Sequence, residues 1–449
     1  MKSKLYLFLF GNKNPAKLIV MSYLLMILLG TIILMLPISQ ARGRWTDPVN
    51  ALFTITSAIC VTGLSPVVTA TYWSLFGQIV ILIWIQIGGI GIMTAAALIG
   101  LAIGKKFSVQ NRIEFAEEKN ALTKDGIVKL MIYVIEATVV IELLGALLLA
   151  IQFIPDMGVG RGIYYSIFHS ISAFCNAGFD LIGAASISPY VGNELVSLTI
   201  VALILLGGFG YSVFMEIQRK KGFKRLSLHS RIVINATLFL VVVPTILILI
   251  LEYNNPDTIG NLSFMDKVTA SLFQAVTPRT AGFFSVGQDK ITSPTYILSI
   301  LLMLIGGNPQ GTAGGLKTTT IILVVLAAIS NINGSKEVSL NRRRIDGETV
   351  KKAWTILVIT LIWVLIAFFL LCVSEKGVSM SDLFYEVISA ICTVGLSRGI
   401  TPNLTVFGKV LIAFTMLFGK VGGISMIYAF TKKKSPKLYK EAKAEIMVG

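Results

Sequence analysis

The stretch SAICTVGL at residues 389–396 has three counterparts in the same chain. Each carries a glycine before a final leucine or phenylalanine, and the four glycines are 104 to 115 residues apart. Self-similarity at a near-constant period is typical of a chain built from repeated structural units. The other three stretches are SAICVTGL at 57–64, SAFCNAGF at 172–179 and VTPRTAGF at 276–283.

A second glycine-rich phrase follows each of these stretches after 24 to 29 residues, always within a long apolar run. Two motifs that keep this offset through four copies indicate four tandem repeats. The second phrases are GGIG at 88–91, GGFG at 207–210, GGNP at 306–309 and GKVG at 419–422. The predicted repeats are 1–110, 111–225, 226–340 and 341–449.

The composition indicates an integral membrane protein. Of all residues 55% are hydrophobic and only 14% are charged, whereas a soluble domain has about 25% charged residues. Runs such as 18–38 and 79–103 have the length of about 20 residues that a helix needs to cross a bilayer. The four cysteines lie in apolar segments and predict packed thiols, without a disulfide framework.

Each repeat has a spanning run, a shorter apolar stretch that ends at the first glycine, and a second spanning run. A stretch of about a dozen residues is too short to span, which favours a re-entrant helix and loop. The sequence therefore predicts an all-α fold with eight spanning helices and four re-entrant segments around one pseudo-fourfold pore. The predicted first spans are near 17–38, 128–154, 231–251 and 354–373, and the second near 73–103, 196–218, 295–329 and 405–430.

Charge predicts the topology. The net charge is +16, and most of the 39 Lys and Arg residues lie in the two tails and the three linkers between repeats. The positive-inside rule places all five segments, including both termini, in the cytoplasm. A nucleic-acid-binding arm is the competing interpretation of such a charge, but anionic lipid headgroups are a sufficient partner.

The first phrases predict a cation pore. Non-helical backbone at membrane depth is tolerated only where protein buries it or water lines it. Four glycine loops converging on one axis would meet that condition, and their carbonyl oxygens could replace the hydration shell of a cation. The alternative is that membrane glycines serve close helix packing, which suits the second phrases, such as those at Gly88 and Gly207.

Thr393-Val394-Gly395 looks like the start of the potassium-channel filter motif. With the phrase at 276–283 and the loop at 307–317, the chain resembles the Trk/Ktr/HKT superfamily of potassium transporters over essentially its whole length. It is most similar to the Ktr membrane subunit, because its first repeat begins almost at once. The resemblance implies a K⁺ filter formed by Val61, Thr62, Gly63, Asn176, Ala177, Gly178, Thr280, Ala281, Gly282, Thr393, Val394 and Gly395.

Glycine at all four filter positions favours potassium, since in relatives a serine at the first position accompanies sodium preference. The filter lacks the second glycine of the potassium-channel motif. A filter with fewer carbonyl rings is expected to distinguish potassium from sodium less strongly. A role for sodium as an activating or coupled ion is an open alternative. The residues in place of that glycine are Leu64, Phe179, Phe283 and Leu396.

In the third repeat, the second span differs from its three counterparts because the sequence GGNPQGTAGG interrupts it at 306–315. Proline and clustered glycines disfavour a helix, and a broken helix at membrane depth should line a cavity. The family resemblance implies an intramembrane gating loop here, and a static kink is the alternative. The predicted gate residues are Gly306, Gly307, Asn308, Pro309, Gln310, Gly311, Thr312, Ala313, Gly314, Gly315 and Lys317.

Lys420 lies in the last span, where ionisable groups are costly and usually functional. The family generally has arginine at this position and an electrostatic role below the filter. Lysine keeps the charge but loses the planar fork. Lys317 follows the predicted gate and is expected to pair with carbonyl groups. Helix packing or snorkelling is the alternative for both lysines.

An enzyme and a secondary carrier are the two alternative classes of protein. An enzyme is disfavoured, because the chain has no HExxH motif, no phosphate-binding loop and only two histidines, His169 and His229. A secondary carrier for potassium or sodium, coupled to Na⁺ or H⁺, is nearer, since broken helices also mark carriers. Their repeats are often inverted, whereas these four share one orientation.

The resemblance also implies an assembly. It predicts a homodimer, a cytosolic ring of RCK/KTN nucleotide-binding subunits as regulatory partner, and a location in the bacterial cytoplasmic membrane. It predicts no organic cofactor in this chain, with K⁺ at the filter as the only bound metal.

Overall fold

The computed structural model describes residues 15–92, 94–95, 127–220, 222–335, 337–341 and 343–430. The basic residues Lys105, Lys106 and Lys432 to Lys434, which contribute to the predicted topology, lie outside the described residues. The described part is predominantly helical, with one short two-stranded ribbon, Ser339–Leu340 paired with Arg343–Arg344.

The first repeat has two capped helices after its first span. The Asp47 carboxylate accepts from the Asn50 N–H at 3.0 Å and begins the buried short helix. The Ser74 hydroxyl accepts from the Gly77 N–H at 3.2 Å and begins the second span. These caps satisfy N–H groups that have no partner within a helix. The helices are α1 (Pro15–Met35), α2 (Pro48–Cys60) and α3 (Leu75–Ile90).

The second repeat follows the same order, but its second span is bent. Two helices meet at an angle of 91° beside Gly210, whose φ is +96°. An α-helix needs negative φ, so the helix ends where the glycine turns the chain. The helices are α4 (Ile127–Met157), α5 (Val159–Phe174), α6 (Glu194–Gly208) and α7 (Tyr211–Arg219).

The third and fourth repeats are also interrupted in their second spans. In the third, residues 305–317 form a loop between two helices; in the fourth, two helices meet at 97° beside Gly422, whose φ is +86°. The third repeat has α8 (Leu228–Glu252), α9 (Phe264–Val276), α10 (Ser293–Leu304) and α11 (Thr318–Ile332). The fourth has α12 (Gly347–Ser374), α13 (Met380–Ile391), α14 (Val406–Val421) and α15 (Gly423–Phe430).

Among the described residues, four helices are long and apolar enough to cross a membrane, and the number is six if each bent pair counts as one span. The four are the first spans, α1, α4, α8 and α12. Their outer faces expose large apolar side chains such as Leu147 and Leu365, which suits contact with lipid. The prediction that only the third repeat has an interrupted second span is wrong. Glycines at the same place in repeats two and four turn the chain as well.

Glycine also sets how closely the second spans approach the short helices. A methyl group at Gly88, Gly207 or Gly419 would lie 1.8 to 2.1 Å from a backbone carbonyl oxygen, far inside van der Waals contact. The backbones therefore touch, as close-packing glycines permit in membrane helices. The carbonyl groups belong to Ile59, Phe174 and Ile391, each four residues before the glycine of a first phrase.

Two buried glutamates each join the end of a first span to the start of the second span in the same repeat, and the sequence interpretation missed them. Glu252 ends α8 and accepts from the Thr292 N–H at 2.9 Å and hydroxyl at 2.7 Å. Glu375 follows α12 and accepts from the Thr405 N–H at 3.0 Å and hydroxyl at 2.6 Å. A buried carboxylate is tolerable when it is hydrogen-bonded in this way.

Candidate functional site

The four short helices α2, α5, α9 and α13 end at a common point, where the backbone has the same unusual shape four times. Two residues before each glycine, a non-glycine residue has positive φ, and three of these residues are β-branched. Such residues rarely adopt this conformation, so strain is held here by the surrounding structure. The φ values of these residues are 56° at Val61, 60° at Asn176, 69° at Thr280 and 50° at Thr393. Those of the glycines are 103° at Gly63, 68° at Gly178, 78° at Gly282 and 93° at Gly395.

The four glycines form a closed ring. A methyl group at any of them would lie within 2.9 Å of the carbonyl oxygen preceding a neighbouring glycine. Only glycine permits this approach, and it brings four carbonyl oxygens from four repeats to one axis. The pairs are Gly63 with Ala177, Gly178 with Ala281, Gly282 with Val394 and Gly395 with Thr62.

Hydroxyl groups in the wall hold the ring. The N–H groups of Gly63 and Gly395 donate to the Ser57 and Ser389 hydroxyls at 3.0 and 3.1 Å. These bonds occupy the two N–H groups in the wall and leave carbonyl oxygens for the axis. In the other two repeats the wall hydroxyls donate to the carbonyl after the glycine: Ser172 to Phe179 at 2.6 Å and Thr277 to Phe283.

Three further hydroxyl groups of the filter segments are buried and have no hydrogen-bond partner among the described residues. They belong to Thr62, Thr280 and Thr393. Buried polar groups are normally paired, so unpaired ones need an explanation. Hydroxyl and carbonyl oxygens are both ligands for hard cations, so a bound cation is one explanation for unpaired hydroxyl groups here.

A vestibule of about 560 Å³ opens on one side of the ring, and Gly63, Gly178 and Gly395 line it. Asp180 and Asp289 contribute carboxyl groups to its wall. The Arg398 guanidinium is also there, but it pairs with Asp382 at 2.8 Å. The vestibule thus has carboxylates that can attract a cation.

The interrupted span of the third repeat passes on the other side of the ring. One edge of this loop is bonded to the break between α6 and α7. The Asn308 N–H donates to Gly208 O and the Thr312 N–H to Gly207 O, both at 3.0 Å. The Thr312 hydroxyl donates to Phe174 O at 3.1 Å.

The other edge of the loop meets the fourth repeat. A methyl group at Gly314 would lie 2.0 Å from the Thr393 hydroxyl oxygen, so the loop touches the filter segment directly. The Lys420 ammonium donates to Thr312 O at 3.0 Å. The Lys317 ammonium donates to Ala313 O. The structure thus brings both predicted lysines to adjacent carbonyl groups of the loop.

A cavity of about 240 Å³ lies beside the loop, and the loop residues Gln310 and Thr312 line it with Lys317, Lys420 and Lys352. Lys352 was not among the predicted site residues. Its position on α12, near the polar start of a spanning helix, resembles an ordinary snorkelling lysine in sequence. Only the folded chain brings it to this cavity.

Arg279 stands apart from the other filter-phrase residues. It occupies the position of Cys60, Cys175 and Cys392 in the other three phrases. Its side chain is buried, and its Nε has no hydrogen-bond partner within the described ranges.

Comparison with known proteins agrees with this architecture. The TrkH family, described as cation transport proteins, matches residues 9–441. The chain is 39% identical to Ktr system potassium uptake protein B of Bacillus subtilis, covering 95% of both chains, and 37% identical to the potassium/sodium uptake protein NtpJ of Enterococcus hirae, covering 97% of both.

The crystal structure of the potassium transporter TrkH from Vibrio parahaemolyticus has the same fold, with a TM-score of 0.71 at 18% identity. The likeness covers 94% of this chain and 85% of that one. The predicted all-α membrane fold is thereby confirmed. The chain belongs to the TrkH family of cation transport proteins.

Proposed function

We propose that the chain takes up potassium across the bacterial cytoplasmic membrane through the ring of four glycines. The observation that carries this proposal is the closed ring of glycines and carbonyl oxygens at Thr62, Ala177, Ala281 and Val394. Carbonyl rings replace the hydration shell of a cation in selectivity filters. The names of the relatives from B. subtilis and E. hirae, a potassium and a potassium/sodium uptake protein, support potassium as the ion.

Selectivity is proposed to be moderate, with some sodium or rubidium passage. Each filter segment has one glycine followed by leucine or phenylalanine, so it supplies few stacked rings. The name of the E. hirae relative includes sodium, which supports sodium as a second, activating or coupled ion.

The loop at 306–317 is proposed as the gate. Its position between the end of α6 at Gly207 and Gly208, the predicted filter residue Thr393, and Lys420 supports an obstruction beneath the filter. Release of a few hydrogen bonds would let it move aside. A static kink predicts instead that weakening these bonds leaves flux unchanged.

A carrier for potassium or sodium coupled to Na⁺ or H⁺ is the second candidate. The interrupted second spans of repeats two, three and four favour it, because discontinuous helices are also typical of carriers. Single-channel currents in a planar bilayer would favour the pore. Saturable uptake that stops without a sodium or proton gradient would favour the carrier.

The assembly is proposed from the family resemblance. Two protomers, each with its own pore, would bind a cytosolic ring of RCK/KTN nucleotide-binding subunits, with both termini in the cytoplasm. The basic ribbon at Ser339–Arg344, exposed at Arg343 and Arg344, would belong to the cytoplasmic face. Co-migration of the purified chain with such a ring tests this, and separate migration would contradict it.

The function is tested by rescue of cells that lack their own potassium-uptake systems. We expect the chain, co-expressed with an RCK subunit, to restore growth at low external potassium. The variant Gly395→Asp should insert normally and fail to rescue, because its side chain enters the ring. Failure of the intact chain to rescue, despite good membrane expression, would contradict potassium uptake.

A further inference from the structure

A cavity of about 300 Å³, open to the surface, lies between α4 and α7 in the second repeat. None of its lining residues lines the vestibule or the cavity beside the loop. It is therefore separate from both spaces next to the ring. Four polar and two apolar side chains line it, Ile132, Tyr133, Glu136, Met215, Gln218 and Arg219.

The cavity lies at the level where α4 enters the bilayer. From Glu136 to Asp156 this helix rises about 30 Å, which is the thickness of the hydrocarbon core. The two exposed carboxylates thus mark the boundaries of the core, whereas Glu142 between them is buried in protein. The helix α7 packs against α4 and leaves α6 at 91°, so it runs along the membrane surface while α6 crosses the membrane.

One charge of each sign faces this cavity. The Glu136 and Arg219 side chains are exposed, and neither forms an ion pair with the other or with any further residue in the described ranges. Charged groups that face hydrocarbon without a partner are costly. Arg219 attracts the phosphate of a lipid, and Glu136 repels a lipid whose headgroup is only negative. A ligand with both charges satisfies both residues.

We propose that this cavity binds the headgroup of phosphatidylethanolamine, a zwitterionic phospholipid. Its phosphate pairs with Arg219, whose guanidinium can donate two parallel N–H bonds to it. Its ammonium group pairs with Glu136. A primary ammonium donates three hydrogen bonds, whereas the quaternary ammonium of choline donates none, so the carboxylate selects ethanolamine. The Tyr133 hydroxyl and the Gln218 amide also line the cavity and can donate to phosphate oxygens.

The exposed face of α4 provides a path for the acyl chains. From Glu136 toward the middle of the bilayer, the helix exposes Val140, Leu143 and Leu147 at 55 to 66%. Residues three and four apart lie on the same face of a helix, so these side chains continue in one stripe from the cavity. A phospholipid uses both the polar cavity and the apolar stripe, whereas a soluble zwitterion leaves the stripe uncovered.

The test is the melting temperature of the full-length purified chain in detergent during titration with dioleoylphosphatidylethanolamine. A ligand that binds the folded state raises this temperature. Phosphatidylethanolamine should half-saturate the shift at a lower concentration than phosphatidylcholine or phosphatidylglycerol with the same acyl chains. Equal half-saturating concentrations would overturn the proposal. A preference for phosphatidylglycerol would overturn it too, because an ordinary basic surface gives that result.

Two variants separate the two halves of the headgroup. Glu136→Gln should raise the half-saturating concentration of phosphatidylethanolamine about fivefold, as expected for the loss of one partly exposed ion pair. It should leave phosphatidylcholine unchanged, because only the partner of the ammonium is removed. Arg219→Gln should weaken both lipids, since both contain the phosphate. Each shift is measured from the variant's own melting temperature without lipid, so altered stability does not mimic altered binding.

Arg225→Gln is the matched control, because Arg225 is an exposed arginine in the linker after α7 and does not line the cavity. It should bind all three lipids as the unmodified chain does. The proposal is overturned if Arg225→Gln and Arg219→Gln respond alike, or if Glu136→Gln keeps the preference for ethanolamine over choline. These measurements involve no ion flux, so they test the lipid site independently of the proposed function.

Discussion

Around the filter the four repeats have one geometry, whereas beneath it the third repeat differs from the others. At the ring, all four have a positive-φ residue two positions before a positive-φ glycine. Below it, the chain turns at single glycines, Gly91, Gly210 and Gly422, with φ between 86° and 101°. The third repeat has instead a loop over residues 305–317.

The difference separates two physical requirements. A ring of ligands around a cation works only if every repeat contributes an oxygen at the same depth, so each must keep the same backbone. Obstruction of a pore needs only one element to cross the axis. We therefore propose that the shared geometry binds the ion and that the asymmetric part gates the pore.

The largest effect is expected at the ring. In Gly395→Ala the new methyl group would lie 2.0 Å from Thr62 O, so the ring must distort and flux should fall to the level of empty vesicles. Gly399→Ala is the matched control, because Gly399 has nearly the same φ, +89° against +93°, with no atom within 4 Å of the methyl position. Potassium flux into vesicles measures both. Equal losses would attribute the effect to backbone strain and contradict the ring.

The second largest expected effect is an increase in flux on deletion of the loop. Deletion of Asn308–Gly314 should raise flux at least about tenfold, because the loop is held by several hydrogen bonds worth about 1 kcal/mol each and a loss of about 1.4 kcal/mol already corresponds to a factor of ten. The deletion is feasible, since the Thr318 N–H already donates to Gly307 O at 3.1 Å across the base of the loop. Initial rates of potassium uptake, normalised to folded protein by size-exclusion chromatography, give the result. Unchanged flux in a folded variant would make the loop a static kink.

A smaller gain is expected from Lys420→Gln. The variant weakens the bond to Thr312 O by about 1 kcal/mol, so flux should rise about fivefold. Combined with the loop deletion it should add little, because both changes remove the same contact. Lys409→Gln is the control on the same helix, since Lys409 donates to Asn50 Oδ1 away from the loop. Fully additive gains would show that Lys420 acts independently of the loop.

The smallest effect concerns stability. Glu252→Gln and Glu375→Gln each weaken a carboxylate bond to the threonine that begins the second span. We expect each to lower the melting temperature by a few degrees, about 1–2 kcal/mol, with flux unchanged. If both variants lower the melting temperature by a similar amount, repeats three and four are also equivalent where the first span meets the start of the second. A shift in only one of them would limit the equivalence to the ring.

The repeats were predictable because each contains the same two glycine phrases, separated by 24 to 29 residues. The positions of the four ring glycines were predictable from the same phrases, since a glycine that ends a helix too short to span has few other uses at membrane depth. The bends at Gly210 and Gly422 were missed, because GGFG and GKVG lie in uninterrupted apolar runs. Hydropathy does not report a change in the sign of φ.

Contacts between distant parts of the chain were the least predictable. Lys352 lies 68 residues before Lys420 and looks like a lysine at a helix start, yet it lines the same cavity. Glu252 and Glu375 were likewise missed, because their partners Thr292 and Thr405 lie 40 and 30 residues away. Periodicity identifies which residues are equivalent between repeats, but the neighbours of a side chain depend on packing.

The central claim is that one cation is held by the carbonyl ring of the four repeats. Crystals grown with rubidium in place of potassium, measured at the rubidium absorption edge, would locate that ion directly. We expect an anomalous peak on the axis, within coordination distance of the carbonyl oxygens of Thr62, Ala177, Ala281 and Val394. A peak elsewhere in the membrane region, with the ring empty in protein that still transports rubidium, would contradict it.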